Sequence, residues 1–158
     1  MASYHLSVKT VKRSAGRSAT AAAAYRSASV IECHREGRTH DCTAKRGVEA
    51  CFILAPDDAP EWAQDRAALW NAAEASETRS NSVTAREWEL ALPSEISGAA
   101  RIEITRAFAQ QLVEPYGVAA DVAIHAPHRE GDHSPQLCAC ALRDACSFRS
   151  RHGSCQPG

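Results

Sequence analysis

Three segments of this 158-residue sequence alternate apolar and polar residues, and their polar positions carry groups that could do chemistry. Tyr4 to Lys9 turns Tyr4, Leu6 and Val8 one way and His5, Ser7 and Lys9 the other. Val83 to Leu92 sets Trp88, Leu90 and Leu92 against Glu87, Glu89 and Ala91, and Ala119 to Ala126 sets Ala120, Val122 and Ile124 against Asp121, Ala123 and His125. Successive side chains of an extended chain point to opposite faces. If the three strands share a sheet, one face collects His5, Ser7, Lys9, Glu87, Glu89, Asp121 and His125. An open face of imidazole and carboxylate is a reaction surface.

Charge adds a second signal. The net charge is only −1, but residues 1–46 hold nine Lys/Arg against three Asp/Glu. Residues 47–118 hold five against twelve. A basic segment hidden in a neutral total can face an anion such as nucleic acid. The plainer reading is a solvated basic arm.

The elements that must position these residues follow from pattern. Lys12 to Arg17 reads as a basic loop, and Ser18 can cap a helix through the alanines to about Ser27. Residues 29–47 read as irregular, and Val48 to Leu54 as a strand. Pro60 opens a helix to about Glu74, with Trp62, Leu69, Trp70 and Ala73 on one face. Ser97 caps a helix to about Glu114 whose expected buried stripe is Ala100, Ile104, Phe108 and Leu112, and Gly117 ends it. Together these predict an α+β fold, an antiparallel sheet with helices packed on one face.

Length allows one ordinary domain. Apolar residues make up 44% and charged residues 23%, which argues against wholesale disorder. No apolar run is long enough to span a bilayer, and Met1 to His5 does not open an export signal. Cytoplasmic location without membrane insertion is therefore expected. The seven cysteines form no C-x-x-C pair; Cys33, Cys42 and Cys51 are nine apart and Cys138 and Cys140 two apart, so they read as reduced thiols. From about residue 133 the chain becomes rich in Cys, Arg and Ser without a clean period. A domain over 1–132 and a poorly ordered tail over 133–158 are expected.

Three blocks carry a family resemblance. Y-H-L-S-V-K-T-V-K-R-S-A-G-R-S-A-T-A-A-A-A-Y (Tyr4–Tyr25) resembles the opening of MobA/MobL relaxases, which include the relaxase domains of TraA-type conjugation proteins. A-R-E-W-E-L-A-L-P (Ala85–Pro93) and G-V-A-A-D-V-A-I-H-A-P (Gly117–Pro127) are similar to two further blocks in the same order. The resemblance covers residues 1–132 and implies a sheet of the His-hydrophobic-His endonuclease kind. It implies a protein of plasmid mobilisation and conjugation that nicks one DNA strand at an origin of transfer and stays bound to its 5′ end. By resemblance the nucleophile is Tyr25, a metal ligand is His125, and Glu87 or Glu89 assists. Lys9, Lys12, Arg13, Arg17 and Arg26 would hold phosphates. The implied cofactor is a divalent cation, Mn²⁺ or Mg²⁺, with Zn²⁺ a further choice. The implied partners are single-stranded origin DNA, accessory relaxosome proteins and a coupling protein. Taken singly, a tyrosine closing an alanine-rich helix is ordinarily packing, and one strand histidine is ordinarily a surface residue.

The chain departs from the family at one place. The family's metal site takes two more histidines from a His-x-His pair on the strand after the Gly-Asp turn. Here Gly131-Asp132 is followed by Pro135-Gln136-Leu137-Cys138-Ala139-Cys140, and His128 and His133 lack the alternation that would replace the pair. Pro135 to Ala145 can be spelled with codons that, read one base later, give Arg-Asn-Tyr-Ala-His-Val-Leu-Cys-Ala-Thr-Arg, nearer the family strand. The expectation is a sheet incomplete at its C-terminal strand, weak metal binding and impaired nicking. The competing readings are a non-catalytic single-stranded DNA-binding module and, behind it, a small Cys/His metal-binding protein.

Overall fold

A computed structural model of the chain describes residues 6–126 and, as backbone, residues 136–141. The elements are β1 (Leu6–Lys12), α1 (Ala19–Ser27), β2 (Val30–Cys33), β3 (Arg38–Asp41), β4 (Val48–Leu54), α2 (Arg66–Ser76), β5 (Val83–Ala91), α3 (Gly98–Tyr116), β6 (Ala120–His125) and β7 (Gln136–Ala141). Five strands form one sheet in the order β1-β5-β7-β6-β4, every neighbouring pair antiparallel, and β2–β3 is a separate hairpin. The α+β class and the antiparallel sheet are as expected.

Helix starts follow capping chemistry. Ser18, Asp65 and Ser97 each accept a hydrogen bond from the backbone N–H three residues on. Asp65 explains why the expected helix from Pro60 is two pieces: a 3-10 turn over Glu61–Gln64 stops at the extended Asp65, which caps α2. Gly117 closes α3 in the left-handed region at φ 60°, while α1 ends on Ala28 at φ 50°, a conformation an alanine adopts at a cost.

Helices cover both faces of the sheet, which corrects the one-face expectation. α3 lies over the apolar face, where Ala109 and Val113 meet Leu92, Val122 and Ile124, flanked by Trp88, Leu90 and Phe52. α1 and α2 lie over the other face, where Ala19, Ala23, Leu69, Trp70 and Ala73 close around Val11 and Ala85. The polar residues on that second face were enough to suggest it was bare, but α1 and α2 bury part of it through ion pairs.

Three local expectations also change. The fully buried row of α3 is Thr105, Ala109 and Val113; of the expected Ala100, Ile104, Phe108 and Leu112, Phe108 packs half-buried against that core while Ile104 is 45% exposed. The two rows are one residue apart, and the smaller side chains let the helix sit closer to the sheet. Residues 30–41 form a hairpin, not an irregular stretch; Ile31 and Cys33 are buried and Val30 and Glu32 exposed, a period of two too short to stand out. β7 lies between β5 and β6, so the sheet is continuous where a gap was expected. Backbone pairing needs no particular side chain, and Gln136–Ala141 pairs in full register with both neighbours. Tyr4, His5, His128, His133 and the rest of the expected tail lie outside the described residues.

Candidate functional site

The site is built on the face beneath α1. Tyr25 stands in the last turn of α1, 59% exposed. Lys45, in the loop before β4, holds its ammonium 3.7 Å from the centre of the Tyr25 ring, a cation–π contact. Two residues on, the Gly47 carbonyl accepts from the Ala126 N–H at 2.7 Å, and Val48 pairs with His125. One loop therefore touches the tyrosine ring and is tied to the end of the strand that carries His125. Lys45 was not singled out from sequence; nothing in its local pattern marks a contact 20 positions away along the chain.

Arg26, next to Tyr25, turns inward. Its Nε donates to Glu87 Oε1 at 3.0 Å, and its Nη2 makes a second close contact with the same oxygen. Glu87 is 2% exposed, and Arg17 Nη2 lies 3.7 Å from its other oxygen. Paired on β1 and β5, Lys9 and Ser7 donate to Glu89 Oε2 at 2.7 and 3.3 Å. Partial burial alone would raise the Glu89 carboxyl. The hydrogen bond and charge of Lys9, with the hydrogen bond from Ser7, outweigh it and hold the carboxyl below its ordinary value.

Asp121 is committed to structure. Arg66 donates to it through Nε and Nη2 at 2.7 and 2.9 Å, and Trp70 Nε1 donates at 2.8 Å. Burial pulls the Arg66 guanidinium down, but its bond to Asp121 outweighs that and leaves it raised. Between α1 and β6, Ala23, Arg26, Ser27, Trp70, Asp121 and Ala123 line a small cavity.

Of the five expected phosphate-binding residues, Lys9, Lys12 and Arg17 are exposed. Arg13 and Arg26 are turned inside. Arg13 donates to the Glu74 carboxylate at 3.0 and 3.2 Å and also engages the backbone carbonyls of Glu74 and Glu77. Glu74, overlooked in the sequence because it sits on a helix face like many others, is buried. It also accepts from the Ala19 N–H at 2.6 Å and from Arg35 Nε at 2.9 Å.

His125 is half-buried on the same face as Asp121 and Ala123, and pairs with Val48 of β4 while those two pair with Ile53 and Cys51. Among the described side chains of this face it is the one imidazole, and the nearby Asp121 carboxylate is already bonded to Arg66 and Trp70. Among the described side chains, one imidazole beside a carboxylate already bonded elsewhere is a weak donor set for a divalent cation. In backbone register, Cys138 lies opposite Glu89 and Ala123, and Cys140 opposite Glu87 and Asp121.

Tyr25 thus stands at the end of the helix packed over the sheet face that carries Glu87, Asp121 and His125. The MobA/MobL family model matches residues 17–144, which takes in the end of the first block (Arg17–Tyr25), the other two blocks and β7. Mobilization protein MobL of Acidithiobacillus ferridurans is 46% identical over 132 residues, which are 84% of this chain and 34% of that protein. Conjugal transfer protein TraA of Rhizobium radiobacter is 37% identical over 135 residues, 79% of this chain and 12% of that protein. A solved structure described as "Molecular Basis of Vancomycin Resistance Transfer in Staphylococcus aureus" superposes with a TM-score of 0.81 at 33% identity, covering 89% of this chain and 70% of that one.

The chain belongs to the MobA/MobL family of mobilisation and conjugal-transfer relaxases. It spans about a third of the length of MobL and about an eighth of TraA. Among the described residues, no helix is long and apolar enough to cross a membrane.

Proposed function

We propose that this chain is a relaxase domain of plasmid mobilisation whose nucleophile is Tyr25 and whose strand-transfer chemistry is weakened by a depleted metal site. The observation that carries the reading is the placement of Tyr25. Its ring is solvent-exposed, its neighbour Arg26 is fastened to Glu87, and Lys45 links it to the strand end bearing His125.

The reaction is an in-line displacement. The Tyr25 oxygen attacks the phosphorus of one phosphodiester, the bond to the 3′ oxygen breaks, and the phenol proton leaves to solvent while the 3′ oxygen takes one up. The products are a 5′-phosphotyrosine and a free 3′-hydroxyl. The linkage keeps the phosphodiester energy, so a 3′-hydroxyl can reverse the step. Phenols ionise near a pH of about 10, so the neutral form dominates at neutral pH and the transition state needs positive charge around the phosphate. Lys45 lies on the tyrosine ring, and Arg17, Lys12 and Lys9 line the exposed side; they are the groups to supply it. Glu87 acts as a positioning residue through Arg26. Glu89, more exposed, is the carboxylate within reach of solvent.

His125 would contribute one ligand to a divalent cation that neutralises phosphate charge. One imidazole holds Mn²⁺ or Mg²⁺ weakly, so nicking is expected to be slow or absent. Single-stranded origin DNA is the proposed substrate, with relaxosome and coupling proteins as partners in the cytoplasm. A shifted reading frame beyond Asp132 belongs to the same proposal; the coding DNA there decides it.

The test is nicking of a supercoiled plasmid carrying the origin region of the chain's own replicon, with added Mn²⁺, read on a denaturing gel. Little nicking is expected, with any DNA–protein adduct lost in Tyr25→Phe. Strong nicking abolished by Tyr25→Phe would overturn the impairment and keep the nucleophile. An adduct that survives Tyr25→Phe would remove Tyr25. DNA binding without any adduct, even at high Mn²⁺, would favour the non-catalytic single-stranded DNA-binding module, which the exposed Lys9, Lys12 and Arg17 also suit.

A further inference from the structure

The β2–β3 hairpin carries a second cluster of donor atoms, and it shares no residue with the face around His125. Cys33 closes β2, Glu36 sits in the turn and His40 lies on β3. One ligand atom from each lies within 4.8 Å of the other two. We propose that this hairpin is a binding site for a soft divalent cation, zinc above all, built from Cys33, Glu36 and His40, with water in the fourth position.

The distances suit the ion. Zinc bond lengths of about 2.0–2.3 Å in a tetrahedron place ligand atoms about 3.3–3.6 Å apart. Glu36 Oε2 and His40 Nε2 are already 3.2 Å apart, and the Cys33 sulfur, within 4.8 Å of its partners, has to close by at most about 1.5 Å. A thiolate, a carboxylate and a neutral imidazole carry two negative charges between them, matched to the ion. Sulfur and imidazole favour zinc over magnesium or calcium.

The surroundings hold the donors in place. Arg35 Nη2 donates to Glu36 Oε1 at 2.8 Å, which leaves Oε2 facing His40, and Arg35 Nε is anchored on Glu74. Asn71 on α2 grips the hairpin from both sides: its Oδ1 accepts from the His34 N–H at 2.9 Å, and its Nδ2 donates to the Glu32 carbonyl at 2.7 Å. Such outer contacts fix ligand orientation and strengthen metal binding. Cys33 is buried while Glu36 is exposed and His40 half-buried, so an ion can enter from the solvent side and end against the core. The pattern Cys-x-x-Glu-x-x-x-His escapes a search for paired cysteines because its donors are of three kinds.

The test is a titration of the reduced full-length chain with Co²⁺ and then Zn²⁺. One equivalent of Co²⁺ is expected to give a sulfur-to-metal absorption band and the visible bands of a tetrahedral ion, both erased by Zn²⁺. Cys33→Ser should abolish the sulfur band, and Glu36→Gln and His40→Ala should each weaken binding by about tenfold or more. Cys42→Ser should leave it unchanged. Cys33→Ser removes a buried thiol and risks unfolding, so the two hairpin-surface variants, with folding checked by circular dichroism, carry the decision. Absence of the band in the native chain, or affinity unchanged in both Glu36→Gln and His40→Ala, would overturn the site. Neither result bears on whether Tyr25 forms an adduct, so the relaxase reading stands or falls separately.

Discussion

The two faces of the sheet are stabilised by different physics. Under α3 the contacts are apolar: Leu92, Ala109, Val113, Val122 and Ile124, all within a few per cent of full burial. Under α1 and α2 an apolar cluster surrounds three buried carboxylates, Glu74, Glu87 and Asp121, each bonded to arginine. Hydrophobic burial contributes free energy without fixing direction. A buried carboxylate fixes direction, since its bonds to arginine hold only in narrow geometry. The polar face uses this at both ends of α1. Glu74 takes the first N–H of the helix, and Glu87 takes Arg26 in its last turn. The helix that aims Tyr25 is thus located by ionic contacts at each end, while the far face supplies stability.

The largest test of this contrast is Asp121→Ala. It leaves Arg66 and Trp70 Nε1 without their shared acceptor, and the expected loss is about 3–5 kcal/mol, the cost of stranding one partner of a buried ion pair. Chemical denaturation measures it. A loss below about 1 kcal/mol would mean solvent reaches Arg66 freely and the polar face is not rigid. Next comes Ile124→Ala on the apolar face, expected to cost about 2–4 kcal/mol through lost burial and a residual cavity. It should leave hydrogen exchange in the last turn of α1 unchanged relative to global stability.

Glu87→Gln sharpens the comparison with a smaller change. The amide keeps the shape and loses the charge, and the expected cost is about 1–3 kcal/mol. Its mark is local: amides of Ala24 to Ser27 should exchange faster than the loss of global stability accounts for. If Glu87→Gln and Ile124→Ala give the same exchange pattern, the two faces do not divide the work as described.

The same contrast explains what could be read from sequence. The apolar face was legible because it is written in alternation: Trp88, Leu90, Leu92 and Val122, Ile124 fell on one side by period alone. The polar residues of the other face were also assigned to one side, and Glu87, Glu89, Asp121 share it. What the pattern could not show was that α1 and α2 would cover them. A buried carboxylate looks like a solvated one until its partner is found, and Glu74, Arg13, Arg35 and Asp121, Arg66 are paired across tens of residues. Two of the five expected DNA-binding cations, Arg13 and Arg26, were therefore counted as surface charges when they are internal fasteners. Lys45 shows the converse error of omission, since only folding brings it onto Tyr25. The continuity of β7 escapes the sequence for another reason: residues 136–141 do not alternate cleanly by side chain, but strand pairing reads the backbone.

The smallest effect lies at the exposed rim of the polar face, where Lys9 meets Glu89. Glu89 has its folded-state pKa below its unfolded value, so its contribution is fully present above the unfolded glutamate range and is lost as pH falls through the lowered folded value. Both side chains are substantially open to solvent, so screening limits the pair to about 0.2–0.5 kcal/mol. Lys9→Met should therefore lower stability by that amount (roughly) at neutral pH, and the difference from the native chain should vanish once the pH has fallen below the lowered Glu89 value, where the carboxylate is protonated. Added salt should shrink it too. A Lys9→Met deficit that persists unchanged in acid would mean the lysine acts through its aliphatic stem against β5. The rim would then belong with the apolar face.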